Sequence, residues 1–182
     1  MKRLTSLCLR TLPAMLCSLL FTAPAWSQKD NKLSDPEIAS VAVVANQIDI
    51  NAAKLAQQKS KDANIRDFAS TMISDHTSVI DKASALVKKL GVTPKDNALS
   101  RQLRAGAAKN INSLKGKSGA AFNKAYVDNE VAYHQAVIST VENKLIPEAT
   151  NTELKDLLQS VLPVLRTHLE HAQMVQKNLT TK

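Results

Sequence analysis

Apolar residues recur at alternating steps of four and three along four separate stretches of this chain. That spacing points to α-helices packed along one another. In the second stretch the seam reads Ile65, Ala69, Met72, His76, Val79, Ala83, Leu86 and Leu90. In the third it reads Val127, Val131, His134, Ile138, Val141 and Leu145, and in the fourth Leu154, Leu158, Val161, Leu165, His168, Ala172, Val175 and Leu179. The first stretch is richer in alanine: Ile38, Ala42, Ala45, Asp49, Ala52 and Ala56, flanked by Val41, Ile48 and Leu55. Small side chains there let another backbone approach closely. No segment alternates with the period of two that a half-buried strand requires. The expected fold is all-α: an antiparallel four-helix bundle with a short extra helix between the second and third long helices.

Local signals place the helix ends. Ser34-Asp35-Pro36-Glu37 supplies a cap residue and a proline in the first turn, opening a helix from about 35 to 60. The second helix spans about 62 to 90 and stops at Gly91, the residue best suited to a left-handed turn. A loop with Pro94 follows. Residues 98–114 read as a short basic helix or crossing segment, with Arg101, Arg104 and Lys109 toward solvent, packing over one end of the bundle. Lys115-Gly116-Lys117-Ser118-Gly119 breaks it. The third long helix is expected from about 120 to 146, stopping at Pro147, and the fourth from about 152 to 179. Pro163 lies inside the fourth and is expected to kink it, freeing the carbonyl of Gln159.

The first 27 residues read as a cleaved secretory signal peptide. Lys2 and Arg3 precede an apolar stretch from Leu7 to Phe21, and small residues follow at Ala23, Ala25 and Ser27. Cleavage after Ser27 fits best, with cleavage after Ala25 as the alternative. The apolar stretch, broken by Arg10 and Pro13, is too short for a transmembrane helix of about 20 residues. Both cysteines, Cys8 and Cys17, lie inside it, so residues 28–182, read as one domain, carry no disulfide and no thiolate ligand. The leader holds three of the basic residues and no acidic one. Removing it takes the net charge from +8 to +5, a mild excess that fits a periplasmic protein with weak envelope-surface contact. Aromatics are scarce, which argues against a base-stacking nucleic-acid surface.

Three of the four histidines sit on apolar seams. Asp49, His76, His134 and His168 lie roughly 14 to 16 residues from their helix starts, near mid-length at 1.5 Å per residue. Antiparallel neighbours meet at mid-length, so the four side chains are expected to share one buried layer. Three imidazoles and a carboxylate suit Zn²⁺, Cu²⁺ or Fe²⁺. Met72 and His171, each one turn from a seam histidine, are weaker candidates for the same ion. Asp75 is expected to point away from His76 into solvent. Asp128, Glu130 and Tyr133 either rim the layer or belong to a solvated face.

The segment Ser74-Asp75-His76, the run from Ser118 through Phe122, Tyr126, Glu130 and Tyr133 to His134, and Pro163 followed by His168-Leu169-Glu170-His171-Ala172 together resemble an exported bacterial family. It is catalogued as domain of unknown function 4142. The resemblance covers nearly all of the chain beyond the leader. It implies a ferritin-like helical fold with an acidic residue on the first helix, at Asp49, and no settled activity. The di-iron chemistry of ferritin-like bundles needs carboxylates on four helices, two of them in Glu-x-x-His pairs. This chain has no Glu-x-x-His; Glu130 precedes His134 by four.

Other chemistries lack their parts. There is no phosphate-cradling glycine loop and no nucleophile elbow. The favoured reading is a non-enzymatic exported protein with a binding or envelope-stress role, whose Asp/His layer is mainly structural and fixes helix register. The alternative is a periplasmic metal-binding protein that takes one transition-metal ion on His76, His134 and His168. A metal-dependent redox or hydrolytic enzyme ranks last, because only Asp49 or Glu130 is placed to act as its base.

Overall fold

The computed structural model describes residues 32–180, and every regular element among them is helical. The leader reading, both cysteines and Trp26 fall outside the described residues. Helix α1 spans Asp35–Lys59, α2 Ala63–Lys89, α3 Ala98–Lys115 and α4 Gly119–Thr140. A π-helical turn, Val141–Leu145, and the short α5, Ile146–Glu148, prolong α4, and α6 spans Thr152–Thr180. No helix among the described residues is long and apolar enough to cross a membrane.

The ends follow the local chemistry. The Glu37 carboxylate accepts hydrogen bonds from the Ser34 N–H at 3.0 Å and the Ser34 hydroxyl at 2.7 Å, holding the first turn of α1. Asp62 caps α2 through the N–H groups of Asn64 and Ile65. Gly91 takes φ +64°, where a side chain would be strained. Pro147 departs from expectation, because the chain stays helical past it, to Glu148. A proline removes one N–H from the regular ladder, and the wider register of the π turn lies directly before it. Pro163 likewise lies inside an unbroken α6.

Cluster membership gives the helix directions. The end of α1 (Ala52, Ala53, Ala56) shares a core with the starts of α2 (Ile65, Phe68) and α4 (Phe122, Tyr126) and the end of α6 (Ala172, Val175). A second core joins the start of α1 (Ile38, Val41), residues Ile138 to Leu145, and the start of α6 (Leu154, Leu158). Leu86, near the end of α2, packs against that second core. Helices α2 and α4 therefore run the same way, and the chain must travel back between them. Helix α3 makes that journey: Leu99 and Leu103 pack on the second core, Ile111 and Leu114 on the first. The expectation that this segment covers one end is thus corrected. Its 18 residues extend about 27 Å, enough to run beside α1.

Asn97 fastens the start of that return helix. It is buried, accepts from the Ser100 N–H at 3.0 Å and donates to the Glu37 carbonyl at 3.0 Å. Asn97→Ala removes the cap and the tie from the start of α3 to α1, so a loss of about 1–2 kcal/mol in urea unfolding is expected.

The two cores differ in filling. Phe68, Phe122 and Tyr126, all fully buried, occupy the first, whereas the second has only aliphatic side chains. A cavity of about 130 Å³ remains in the aliphatic half. Empty, such a space costs about 3 kcal/mol at about 24 cal/mol per Å³.

Candidate metal centre

The seams deliver three histidines to the level where the two cores meet. His76 from α2, His134 from α4 and His168 from α6 are all buried, with ring centroids 5.1 to 5.7 Å apart. Asp49 from α1 is 1 % exposed, its Oδ2 3.3 Å from His76 Nε2 and 3.5 Å from His134 Nε2.

Hydrogen bonds on the outer side of each ring fix its tautomer. Asn46 donates through Nδ2 to the Ala42 carbonyl at 2.8 Å, which turns its oxygen to His76. His76 Nδ1–H therefore donates to Asn46 Oδ1 at 2.7 Å. His134 Nδ1–H donates to the Glu130 backbone carbonyl at 3.0 Å. His168 Nε2–H donates to Asp75 Oδ2 at 3.0 Å. Each ring is thus left with a bare lone pair on its other nitrogen: His76 Nε2, His134 Nε2 and His168 Nδ1, all buried without a hydrogen-bond partner. One ligand atom from each histidine lies within 4.8 Å of the other two. Donors about 2.0–2.1 Å from one ion sit about 3.4 Å apart in a tetrahedral set, so closure asks for shifts of about 1 Å.

Beside this trio lies a second group: Asp49, Glu130 and His134 also offer atoms within 4.8 Å of one another. Glu130 is 0 % exposed, and its carboxyl interacts with that of Asp49 and with the Asn129 side chain. Burial pushes Asp49 up to about 7. Burial, and then the nearby Asp49 charge, push Glu130 well above the usual carboxylate range. Burial drives the imidazoles the other way, His76 to about 3 and His134 to about 4. His168 is also lowered by burial, against the pull of Asp75. Near neutral pH the layer therefore holds neutral rings with bare nitrogens beside a carboxyl pair that retains a proton. Both convergent groups offer atoms that could hold a metal ion.

The weaker candidates lie elsewhere. Met72 is fully buried in the aromatic core. His171 stands edge-on against Phe68, centroids 5.1 Å apart, and belongs to neither convergent group. One expectation is corrected, and one open alternative is decided. Asp75, although partly exposed, reaches across to α6 and orients His168, because α6 packs against that flank of α2. Of the two readings left open for Glu130, the structure gives the layer and not the solvated face; its signal was the four-residue step to His134. Asn46, three residues before Asp49 and on the same helical face, carried no sequence signal of its role. Tyr133 donates to the Ala45 carbonyl at 2.9 Å, and no histidine uses the carbonyl of Gln159. Asp128 pairs at the surface with Lys124.

Residues 21–175 match the family described as domain of unknown function (DUF4142), and the chain belongs to that family. No curated protein matches it. Among solved structures it is similar in fold to one described as CopM in the Cu(II)-bound form. The TM-score is 0.61 at 15 % sequence identity, over 80 % of this chain and 98 % of that one.

Proposed function

We propose that this DUF4142 protein is a non-enzymatic binder of one divalent transition-metal ion, held by His76 Nε2, His134 Nε2 and His168 Nδ1, with Asp49 as fourth ligand. What supports the reading above all is the pairing of inner and outer nitrogens. Each outer N–H is spent on an oxygen acceptor, each inner lone pair is buried and unpartnered, and the three rings offer ligand atoms within 4.8 Å of one another. Metal-binding histidines are oriented in this way by their outer partners. A polar layer serving register alone would use donors to satisfy those nitrogens. Asp49 would fill the position a substrate would need, which favours binding over catalysis.

Cu(II) is the first ion to try. Nitrogen and oxygen donors bind it most tightly among the divalent first-row ions, and the fold relative was solved with it. In this reading the long helices form a ferritin-like four-helix bundle with α3 as its single long crossover. The leader read over residues 1–27 would deliver the protein to the periplasm.

The test is a calorimetric and thermal titration of metal-depleted protein with Cu(II) and Zn(II). One ion per chain is expected. At a free concentration about a hundred times Kd, the unfolding midpoint should rise by about 5–10 °C. A folded protein that takes up neither ion would overturn the proposal.

A further inference from the structure

The aliphatic half of the bundle holds two adjoining cavities. The first, of about 130 Å³, begins at the histidine layer and reaches Leu86 and Leu154. The second, also of about 130 Å³, shares Ala39, Leu86, Val87 and Leu154 as walls and continues to Leu90, Val92 and Asn151 at the end of the bundle. The stretch of α2 from His76 to Leu90 covers about 21 Å, so the combined space is long rather than round. Small side chains, Ala42 and Ala83, stand where larger ones would close it. Both irregular places in the long helices lie along it. The π turn contributes Val141 and Leu145 to the wall, and Pro163 is followed by the wall residues Val164 and Leu165. A π turn set into a long helix is a frequent mark of a functional site.

The walls ask for no hydrogen bond. The Asn46 amide and the Tyr133 and Thr140 hydroxyls are spent on the carbonyls of Ala42, Ala45 and Ala136. The bare nitrogens of His76 and His134 are buried and turned to Asp49, which is not part of the wall. Among the described residues, no Asp, Glu, Lys or Arg lines the first cavity. Asp35 lines the second, where Thr150 and Asn151 already donate to it. A polar group drawn inside would lose its water without replacement, so the occupant is apolar along its whole buried length. An apolar cavity of about 150 Å³ takes up benzene, and two of about 130 Å³ therefore suit about ten heavy atoms. We propose that the two cavities together bind one unbranched alkyl chain of about ten carbons. Its methyl end lies toward the histidine layer, and its polar head stays outside the bundle near Asn151.

The test is calorimetry of metal-depleted protein with hexyl, octyl, decyl and dodecyl glucoside, each below its micelle concentration. The sugar is too large to enter, so the series reads the chain. One decyl glucoside per protein is expected, with affinity rising about fourfold per methylene up to about ten carbons and levelling beyond. Ala83→Leu fills part of the space and should weaken decyl glucoside at least about tenfold, moving the levelling point to a shorter chain. Ala42→Leu, from α1, should do the same and serves where the first variant fails to fold. Three results would overturn the proposal. They are no saturable binding of decyl glucoside by folded wild type, affinity still rising about fourfold per methylene at dodecyl glucoside, and folded filled variants that bind decyl glucoside as tightly as wild type.

Discussion

Replacing His134 with alanine is expected to weaken Cu(II) binding by about a hundredfold or more while leaving the helices in place. Structural four-ligand sites are worth about 10–16 kcal/mol, or about 3 kcal/mol per ligand, and every 1.4 kcal/mol is tenfold. His134 is the position to choose because it belongs to both convergent groups, the histidine trio and the Asp49–Glu130 pair. Asp75→Asn should cost less, about tenfold, since Asp75 acts only by orienting His168. Met72→Leu and His171→Ala should leave affinity unchanged, because neither side chain belongs to the cluster. Competition titrations against a chelator of known strength read all four. If His134→Ala bound as tightly as wild type while His171→Ala did not, the ion would sit elsewhere.

The second large effect concerns acid stability without metal. Burial holds His76 at about 3 and His134 at about 4 in the folded chain, below the ordinary 6.5. A depressed imidazole binds fewer protons folded than unfolded. Its stabilisation is complete above pH 6.5 and lost as the pH falls toward 3–4. Asp49 and Glu130 act in the opposite sense, since their folded values are raised. Their stabilisation is complete at low pH and lost as the pH rises, through about 7 for Asp49. Between about pH 4.5 and 6, protons retained by the carboxyl pair offset those refused by His76 and His134, leaving the lowered His168 as the group not balanced. Metal-depleted wild type should therefore lose stability across that window only to the extent that His168 refuses its proton.

Asp49→Asn/Glu130→Gln keeps the shape of the layer and deletes the carboxyl half of this balance. Its stability is expected to fall on the order of 2 kcal/mol per pH unit between about pH 6 and 4.5. Urea titrations of both proteins at several pH values make the comparison. Parallel curves would mean that the carboxyl pair holds no extra protons in the folded chain.

Much of this was legible in the residues because helices are local. Ser34-Asp35-Pro36-Glu37, Gly91 and the three-four spacing mark their own helix, and they place His76, His134 and His168 at mid-length on inward seams. What was not legible depends on how one helix lies against another. Nothing in the spacing says that α2 and α4 run in parallel, and so nothing says that α3 must cross back beside α1. Asp75 is about 100° around the helix from His76, a solvent position until α6 packs against that flank. Glu130 carried its signal in the four-residue step to His134, but a lone glutamate on a helix is ordinarily at the surface. Only the neighbouring helices take it out of water. The cavity is a sum over α1, α2, α3, α4 and α6, although its root is visible: Phe68, Phe122 and Tyr126 all fall on one side of the histidines.

The most direct test of the metal site is pulsed electron paramagnetic resonance of the protein loaded with one Cu(II). Coupling to the remote nitrogens of three imidazoles is expected, falling to two in His168→Ala. A Cu(II) spectrum without imidazole coupling, or one unchanged when His76, His134 and His168 are replaced together, would contradict the assignment.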